Sequence, residues 1–442
     1  MSKNSFIIGA PSSGSGKTMI TLGLLRALHR RGLHVQPFKC GPDYIDPMYH
    51  TLAAQRESVN LDPYMATTNH LREVYSRYSA SADVAPIEGV MGLLDGYCRD
   101  NGSTAELSRL LNRPVIMVVD ARSAAYSVAA QLYGFRHFGK GVNIVGVIFN
   151  RVASPSHYAF LKQAALDADT EPLGYLPRNN DFIAPSRHLG LSTEAVASFN
   201  PIVEKLADAV TKHIDLNRLL ELTACESPLT YTPQKRLENK GWRIAVARDE
   251  AFNFIYRANL DRLQESGSLS FFSPLRDATL PDADLIYLPG GYPEFFLEPL
   301  EKNVSLRREM QCRAENGGRI LAECGGMMYL CRAIRSSEGK TFEMCGILPT
   351  EASMEDMRLR LGYREIRTDD GFSIRGHEFH YSHLTEELPS AVRQISARGE
   401  ETATGLYRYK NVIAGYTHLY WGECNPLSLF EVTDGKDIYT KR

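Results

Sequence analysis

The residues at the start of the chain are of the types that bind a nucleoside triphosphate. The stretch GAPSSGSGKTM, residues 9–19, ends in the tail of the phosphate-binding pattern G-x-x-x-x-G-K-S/T. The first glycine of that pattern should stand at position 11, where the chain has Pro11. The remaining glycines, the backbone N–H groups of the loop and the positive end of the following helix still suit phosphate oxygens. We therefore predict a nucleotide site formed by Gly14, Ser15, Gly16, Lys17 and Thr18.

Acidic and amide side chains follow other predicted strands of the same region. Asp43 follows HVQPFKC, Glu88 ends VAPIE and Asp120 ends PVIMVVD. Because ligands gather at the carboxyl ends of parallel strands and Mg²⁺ prefers oxygen ligands, Thr18, Asp43 and Glu88 are the predicted metal ligands. Capping of a following helix is the alternative for Asp43 and Asp120. Asn150, at the end of VNIVGVIFN, is a candidate to bind the nucleotide base, with turn formation as its alternative.

A second group of reactive residues lies in the last third of the chain. In RILAECGGMMYL, a predicted strand leads into Cys324, two glycines and a helix, which is the order of a nucleophile elbow. A helix N-terminus should lower the pKa of the Cys324 thiol, and His418, just after a strand in VIAGYTHLYWG, is the predicted base. Gly290 and Gly291 of YLPGGYPE are predicted to expose N–H donors to an oxyanion. A buried structural thiol is the alternative for Cys324 and our interpretation of the other cysteines.

A cluster of histidines in RGHEFHYSHL has the composition of a metal site but not its spacing. His377, His380 and His383 recur every third residue around Glu378, so the second histidine comes one residue too early for H-E-x-x-H. A strand rich in Phe and Tyr would also point neighbouring side chains to opposite faces. We therefore predict structural or substrate-lining roles for these histidines, with metal binding as the alternative.

Composition limits the kinds of protein that these residues can belong to. The chain has 442 residues, 43% of them hydrophobic and 23% charged, with a formal net charge of −2. These values are typical of a globular protein of two domains, and they give no reason to expect a nucleic-acid partner. The eight cysteines form no C-x-x-C pair, and no apolar run approaches the ~20 residues that a membrane span needs. We therefore expect a cytoplasmic protein without a membrane partner.

The elements that must position these residues form two α/β series. Short apolar runs such as FII, PVIMVVD and VNIVGVIFN alternate with helical stretches in the first half, which is typical of a parallel sheet buried on both faces. A second series begins at WRIAVARD and includes DLIYLPGG and GRILAECGG. Between them a polar, proline-containing stretch without periodicity predicts a linker. The predicted organisation is an ATP-binding domain at 1–214, a linker at 215–240 and a second domain at 241–442.

The two halves, in this order, resemble the cobyrinic acid a,c-diamide synthase family. The matching stretches are APSSGSGKT, KCGPDYIDP, IEGVMGLLDG, PSRHLGL, LPGGYPE, AECGGMMYL, GHEFHYS and YTHLYWG. The resemblance implies a P-loop domain of the dethiobiotin-synthetase type with a parallel sheet, followed by a class I glutamine amidotransferase domain. It also implies that the departure at Pro11 belongs to the family's own loop. The implied activity is ATP- and glutamine-dependent amidation of the a and c acetate carboxylates of a cobalt corrinoid.

The resemblance also assigns roles to single residues. Asp43, Tyr44, Ile45, Glu88 and Asp95 match positions that the family associates with the metal, the substrate or a phosphorylated intermediate. Cys324 matches the glutaminase nucleophile and His418 its activating base. Amidotransferases of the triad type usually carry an acid two residues after this histidine, where the chain has Tyr420. The orienting acid is then absent or supplied from elsewhere, for which Glu423 is a weak candidate.

The implied partners are small molecules: cobyrinic acid, L-glutamine, ATP and Mg²⁺, with a homodimer left open. One alternative is the same chemistry on hydrogenobyrinic acid or nickel sirohydrochlorin. Two alternatives of other classes are a P-loop switch or partitioning protein with a degenerate second domain and a thiol hydrolase regulated by nucleotide. The pair of Cys324 and His418 argues against the switch protein.

Overall fold

A computed structural model describes residues 3–182, 193–225, 228–368 and 371–432. The chain divides into two compact units, residues 1–234 and 235–442, each with its own core. The PSRHLGL stretch at 185–191 lies outside the described residues. No helix in the described ranges combines the length and the apolar character that crossing a bilayer requires.

The first unit alternates strands and helices along the chain. Its strands are β1 Asn4–Gly9, β2 Phe38–Cys40, β3 Val59–Leu61, β4 Val84–Glu88, β5 Val115–Asp120, β6 Ile144–Val152 and β7 Glu171–Pro177. Its helices are α1 Lys17–Arg30, α2 Asp46–Ala54, α3 Thr68–Ser79, α4 Thr104–Leu111, α5 Val128–Phe138, α6 Pro155–Asp167, α7 Thr193–Ser198, α8 Asn200–His213 and α9 Leu216–Leu222. Among the described residues, all seven strands pair in parallel in the order β3-β2-β4-β1-β5-β6-β7.

The apolar strands of this unit are buried on both faces, as their continuous hydrophobic runs predict. Phe6, Ile7 and Ile8 of β1 have no exposed surface, because β1 is central in the sheet and helices pack against it. Helix α1 packs against α8 and α2, so its apolar residues are buried around most of its circumference. This packing fixes the helix that starts at the phosphate loop relative to the strand that precedes the loop.

The segment from 215 to 240, predicted as the linker, begins with helix α9. Leu216 and Leu219 of α9 are buried in the core of the first unit. After Thr223, the described residues up to Lys240 form no helix or strand. The chain then divides between Gln234 and Lys235.

The described residues of the second unit form three sheets. Its strands are β8 Trp242–Ala247, β9 Gly267–Phe272, β10 Leu285–Leu288, β11 Arg319–Glu323, β12 Cys331–Arg335, β13 Thr341–Glu343, β14 Leu348–Ser353, β15 Arg360–Arg367, β16 Ser373–His380, β17 His383–Leu384, β18 Arg393–Ser396, β19 Leu406–Tyr409, β20 Val412–Gly415 and β21 His418–Leu419. Its helices are α10 Arg257–Ser266, α11 Leu297–Lys302, α12 Val304–Glu315, α13 Gly325–Leu330 and α14 Ser428–Val432, with a 3₁₀ turn at Pro293–Phe295.

The central sheet of this unit carries the predicted nucleophile. In the described residues its order is β19-β20-β11-β10-β8-β9, and all neighbours are parallel except the β19–β20 pair. Two smaller sheets have the orders β13-β12-β14-β17 and β18-β15-β16-β21. Strand β16 pairs with β21, which brings His377 opposite His418. The α/β class predicted for both halves is therefore confirmed, with an additional antiparallel region in the second.

Candidate functional site

The phosphate loop joins β1 to α1 and depends on two glycines with positive φ. Gly14 has φ 77° and Gly16 has φ 95°, a region that residues with a side chain rarely adopt. A Cβ atom on Gly16 would lie 1.9 Å from Nδ2 of Asn150. That amide donates a hydrogen bond of 3.0 Å to the Ser15 carbonyl oxygen. Asn150 therefore supports the backbone of the loop, and glycine is required at position 16 for both conformation and space.

Pro11 occurs where the loop contacts a second segment. The Leu93 N–H donates to the Ala10 carbonyl oxygen at 2.7 Å. A Cβ atom on Gly92 would lie 2.8 Å from the Pro11 carbonyl oxygen. The close approach at this end of the loop is thus made by a glycine of the opposing segment.

A buried ion cluster lies beside the start of α1. Thr18 Oγ1 donates to Glu88 Oε1 at 2.8 Å, and Lys39 Nζ lies 3.1 Å from the same oxygen. His50 Nε2 lies 2.6 Å from Glu88 Oε2. Burial alone would raise the pKa of Glu88, but the charges of Lys39 and His50 hold it below its usual range. Glu88 is therefore a buried carboxylate whose charge is balanced by its neighbours.

Lys39 connects Glu88 to two further carboxylates. Its Nζ lies 2.6 Å from Asp46 Oδ2 and 4.0 Å from Asp43 Oδ2. Burial would lower the pKa of Lys39, but the charges of Asp46, Glu88 and Asp43 raise it above its usual value. Burial and the nearby charge of Asp43 raise the pKa of Asp46 to about 7. The sequence analysis missed Lys39, Asp46 and His50, although a lysine inside the apolar strand HVQPFKC was a detectable signal.

Asp43 stabilises the turn that leads into α2. Its Oδ1 accepts hydrogen bonds from the Ile45 and Asp46 N–H groups at 2.8 and 3.0 Å. The N-cap position of α2 is Ile45, so Asp43 bonds the first helical N–H without being the cap, and its Oδ2 faces Lys39. Tyr44 and Ile45 are half-buried at the same turn, and Ile45 packs against the core.

The oxygen atoms here suit a magnesium ion that also binds phosphate. Mg²⁺ typically takes one or two protein ligands and keeps waters and phosphate oxygens, so the Thr18 hydroxyl is a suitable ligand beside Glu88. Within the described residues, no group of three or more His, Cys, Asp or Glu side chains is arranged to hold a metal ion by itself. The donor set thus fits a nucleotide-bound ion better than a permanently held one.

Lys17 and Asp95 both form hydrogen bonds with the backbone of the segment 91–95. Lys17 Nζ donates to the Met91 carbonyl oxygen, and burial lowers the pKa of Lys17 although Glu88 opposes that effect. Asp95 is exposed, and its Oδ2 accepts a hydrogen bond from the Gly92 N–H at 3.1 Å. The segment 91–95 is therefore in contact with both the loop entrance and its lysine.

Asp120 forms ion pairs on the other side of the phosphate loop. Its Oδ2 lies 2.9 Å from Arg122 Nη2 and 2.6 Å from Arg151 Nη1. Burial alone would raise the pKa of Asp120, but hydrogen bonds from Arg122 and the charge of Arg151 hold it below its usual range. Arg151 also donates to the Gly14 carbonyl oxygen at 3.0 Å. The sequence analysis missed Arg151, which brings a positive charge to the loop.

Cys324 stands at a strained turn between β11 and α13. Its φ of 46° and ψ of −107° are unusual for a residue with a side chain, and its N–H donates to the Gly415 carbonyl oxygen at 2.7 Å. A Cβ atom on Gly326 would lie 2.2 Å from the Leu288 carbonyl oxygen. The strand, strained residue and helix predicted for the nucleophile elbow are therefore all present.

The glycine loop after β10 contacts both the elbow and His418. A Cβ atom on Gly290 would lie 2.0 Å from Cε1 of His418, and one on Gly325 would lie 3.1 Å from the Gly291 nitrogen and 2.7 Å from Cδ of Pro293. The structure therefore brings the Cys324 turn, the glycine loop and the His418 ring to one place. Their assignment as nucleophile, oxyanion donors and base stays a prediction.

The predicted lowering of the Cys324 pKa is wrong for this structure. The thiol is 4% exposed, and burial followed by the charge of Glu294 raises its pKa well above the usual value. Helix α13 has six residues, so its dipole is too small to offset burial. Burial, with the positive charges that His377 and His380 would carry, lowers the pKa of His418 to about 3. Both shifts favour the neutral form, the thiol for Cys324 and the uncharged imidazole for His418.

Glu323 is a residue of this site that sequence reasoning missed. It directly precedes Cys324, and its Oε1 accepts hydrogen bonds from the Leu419 N–H and from Nε1 of Trp421, both at 3.2 Å. Its Oε2 accepts the Tyr287 hydroxyl at 2.8 Å. Burial raises the pKa of Glu323 to about 8. One side chain thus connects the strand that leads to Cys324 with the residue that follows His418.

The predicted histidine cluster lies in and beside β16, around the buried Glu378, and its predicted structural or substrate-lining role stays a prediction. Glu378 is fully buried and accepts hydrogen bonds from Gln394, Thr404 and Thr417 and an ion pair from Arg364. The His380 ring stacks on Tyr416 at 3.8 Å, whereas His377 pairs with His418 through the backbone and His383 is half-buried in β17. Tyr420 is buried, and the role of Glu423, which is half-buried, stays a prediction.

Two family models match the two units. The model for a CobQ/CobB/MinD/ParA nucleotide binding domain matches residues 6–191. The model for a CobB/CobQ-like glutamine amidotransferase domain matches residues 243–426. The first match contains the phosphate loop and its ion cluster, and the second contains the Cys324 turn and His418.

Curated relatives match nearly the whole chain. A protein of Picrophilus torridus named cobyrinate a,c-diamide synthase is 40% identical, with 95% of this chain and 96% of the relative covered. A protein of the same name from Listeria monocytogenes is also 40% identical with the same shares covered. A third, from Salmonella typhimurium, is 38% identical, and 95% of each chain is covered.

Proposed function

The chain belongs to the cobyrinate a,c-diamide synthase family, and from that membership we propose that it amidates the a and c acetate carboxylates of cobyrinic acid. ATP and L-glutamine are the co-substrates of this proposal, and the pathway is cobalamin biosynthesis. The observation that carries it is the presence, in one chain, of a phosphate loop and a nucleophile elbow of matching family types. A cytoplasmic location and a homodimer belong to the proposal as well.

The first step activates the carboxylate, because its oxygen is a poor leaving group. A carboxylate oxygen of the corrinoid attacks the γ-phosphorus of ATP, and the bond to the β–γ bridging oxygen breaks to release ADP. Lys17 and the N–H groups of the loop bind the phosphates, and Arg151 adds positive charge beside Gly14. Thr18 would hold Mg²⁺, whose chemistry is to neutralise phosphate charge, and Glu88 orients the Thr18 hydroxyl by accepting its hydrogen bond.

The second reaction releases ammonia from glutamine. The neutral His418 accepts the thiol proton of Cys324, and the sulfur attacks the side-chain amide carbon. The N–H groups of Gly290 and Gly291 stabilise the oxyanion, and the C–N bond breaks as the nitrogen takes up a proton. Water then hydrolyses the thioester to glutamate. Ammonia attacks the acyl phosphate, and inorganic phosphate leaves as the amide forms.

The substrate and the nucleotide role can be tested together. The purified protein is assayed with ATP, Mg²⁺ and either glutamine or an ammonium salt on cobyrinic acid, hydrogenobyrinic acid and nickel sirohydrochlorin. We expect cobyrinic acid to be converted to the a,c-diamide with the highest kcat/KM. A higher value for either other tetrapyrrole would replace the substrate while keeping the chemistry.

The matched variant for this assay is Lys17→Ala. It removes a charge that faces the phosphates, so we expect ATP-dependent amidation with either nitrogen donor to be lost while thermal unfolding changes little. Near-normal turnover of Lys17→Ala at saturating ATP would contradict the nucleotide assignment. ATP hydrolysis without amidation of any tetrapyrrole would favour the alternative of a P-loop switch protein.

A further inference from the structure

One acidic side chain at the elbow has no role in the reaction described above. Glu294 follows Pro293 in the loop after β10, and Cδ of Pro293 lies 2.7 Å from the position of a Cβ atom on Gly325. The same loop places Gly290 against the His418 ring. Glu294 therefore belongs to the loop that contacts both the Cys324 turn and the His418 ring.

One carboxyl oxygen of Glu294 lacks a hydrogen-bond partner within the described residues. The residue is half-buried, but its Oε2 is shielded from solvent and forms no hydrogen bond. Burial raises the pKa of Glu294 to about 7, against a smaller effect of its own backbone N–H, and its charge is the strongest of those that raise the pKa of Cys324. A buried carboxyl oxygen without a partner is costly, so a ligand that supplies the partner would stabilise it.

Glutamine offers one group that fits an isolated carboxylate. When its side-chain amide is attacked by Cys324, its α-ammonium lies roughly 5 Å from the amide carbon in an extended conformation. That ammonium is the substrate's positive charge, and hydrogen bonds to charged groups are among the stronger ones in proteins. A carboxylate close to the nucleophile is thus within reach of it.

We propose that Glu294 binds the α-ammonium group of L-glutamine and thereby makes the site selective for an amino acid over a simple amide. This inference rests on the proposed glutaminase function and deepens it. Glu294 contacts the substrate away from the bond that breaks, so it determines specificity and takes no part in proton transfer.

The test compares L-glutamine with glutaramate, which has the same amide chain but no amino group. We expect wild-type protein to prefer glutamine in kcat/KM for ammonia release. In Glu294→Gln, kcat/KM for glutamine should fall by about 10- to 100-fold, the range expected for losing a hydrogen bond to a charged group. The value for glutaramate should change less than about threefold, so the preference nearly disappears. Glu294→Asp, which keeps the charge, should retain part of the preference.

Glu298→Gln is the matched control, because Glu298 is an exposed glutamate of the next helix, α11, and forms an ion pair with the nearby Lys302. It should keep the wild-type preference. The inference would be overturned if Glu294→Gln also kept the wild-type preference. It would equally be overturned if kcat/KM fell by the same factor for glutamine and for glutaramate, which would indicate a proton-transfer or purely structural role. Wild-type protein that releases no ammonia from glutamine would instead contradict the proposed function, and this inference with it.

Discussion

At the scale of single residues, Glu88 is the carboxylate on which the phosphate site is organised. Its two oxygens contact Thr18, Lys39 and His50, and it is 1% exposed. A buried carboxylate in this position balances the charge of the lysine and orients the hydroxyl. The types of Thr18 and Glu88 and their places at a strand end and a helix start made this pair predictable.

Glu88→Gln should reduce the synthetase reaction more than the glutaminase reaction. The glutamine side chain would keep the shape of Glu88 but lose the negative charge that balances Lys39. Ammonia-dependent amidation should therefore fall on the order of 100-fold. Asp43→Asn is the milder companion variant, because an Asn oxygen can still accept the Ile45 and Asp46 N–H groups and only the charge near Lys39 is removed. The measurement is the rate of amidation with an ammonium salt, beside glutamate release from glutamine. Unchanged amidation in either variant would remove that residue from the ATP site.

A lysine inside an apolar strand signals a buried charge, but that Lys39 and His50 contact Glu88 was not predictable from the sequence. Lys39 and His50 belong to β2 and α2, so their contact with β4 depends on the strand order of the sheet. The carboxylate partners of Lys39 lie up to 49 positions away along the chain.

At the scale of elements, the relative position of Cys324 and His418 depends on how β11 and β21 are held together. Glu323 at the end of β11 accepts hydrogen bonds from Leu419 and Trp421, which follow His418. The strand, turn and helix around Cys324 follow from local sequence. The position of His418 does not, because it depends on the pairing of β21 with β16 and on this carboxyl group.

We expect Glu323→Ala to impair the use of glutamine, because it removes acceptors that position the strand of His418. Glu323→Gln should restore most of the activity, since its amide oxygen accepts the same N–H groups and its amide nitrogen can donate to Tyr287. The measurement is kcat and KM for glutamine, with ammonia-dependent amidation as the control. Equal activity of Glu323→Ala and wild type would show that this carboxyl group does not position His418.

Glu323 should also affect stability as the pH changes. Burial raises its pKa to about 8 in the folded protein, whereas an unfolded glutamate titrates near 4.3. The folded state therefore holds a proton that the unfolded state loses, and the stabilisation is lost as the pH rises from about 4 through about 8. The Tm of the wild-type protein should therefore fall relative to the Tm of Glu323→Gln as the pH rises over this interval.

At the scale of the whole molecule, the chain has two units whose cores are separate sets of residues. Composition and the two α/β series made this organisation predictable. The start of the linker was harder to predict. Helix α9 is short and directly precedes the polar residues after 223, and only tertiary packing shows that its leucines are buried.

The two units should lose their functions independently. Cys324→Ala should lower the rate of glutamine-dependent amidation by several orders of magnitude and leave the rate with ammonium salts largely intact. His418→Asn should act in the same direction and less severely. The decisive comparison is the rate with each nitrogen donor under identical ATP and Mg²⁺. Loss of both rates in a folded, ATP-binding Cys324→Ala protein would give the thiol a second role, and retention of both would place the nucleophile elsewhere.

The burial of Cys324 also bears on how the protein withstands oxidation. Peroxides react with thiolates, and a shielded thiol that holds its proton is a slow target for them. In the proposed mechanism the thiol becomes a strong nucleophile only when its proton passes to His418, so its reactivity would be confined to turnover. Cys98 and Cys312 are exposed to solvent and so to oxidants. During exposure to air, Cys324 should therefore be modified later than these surface thiols.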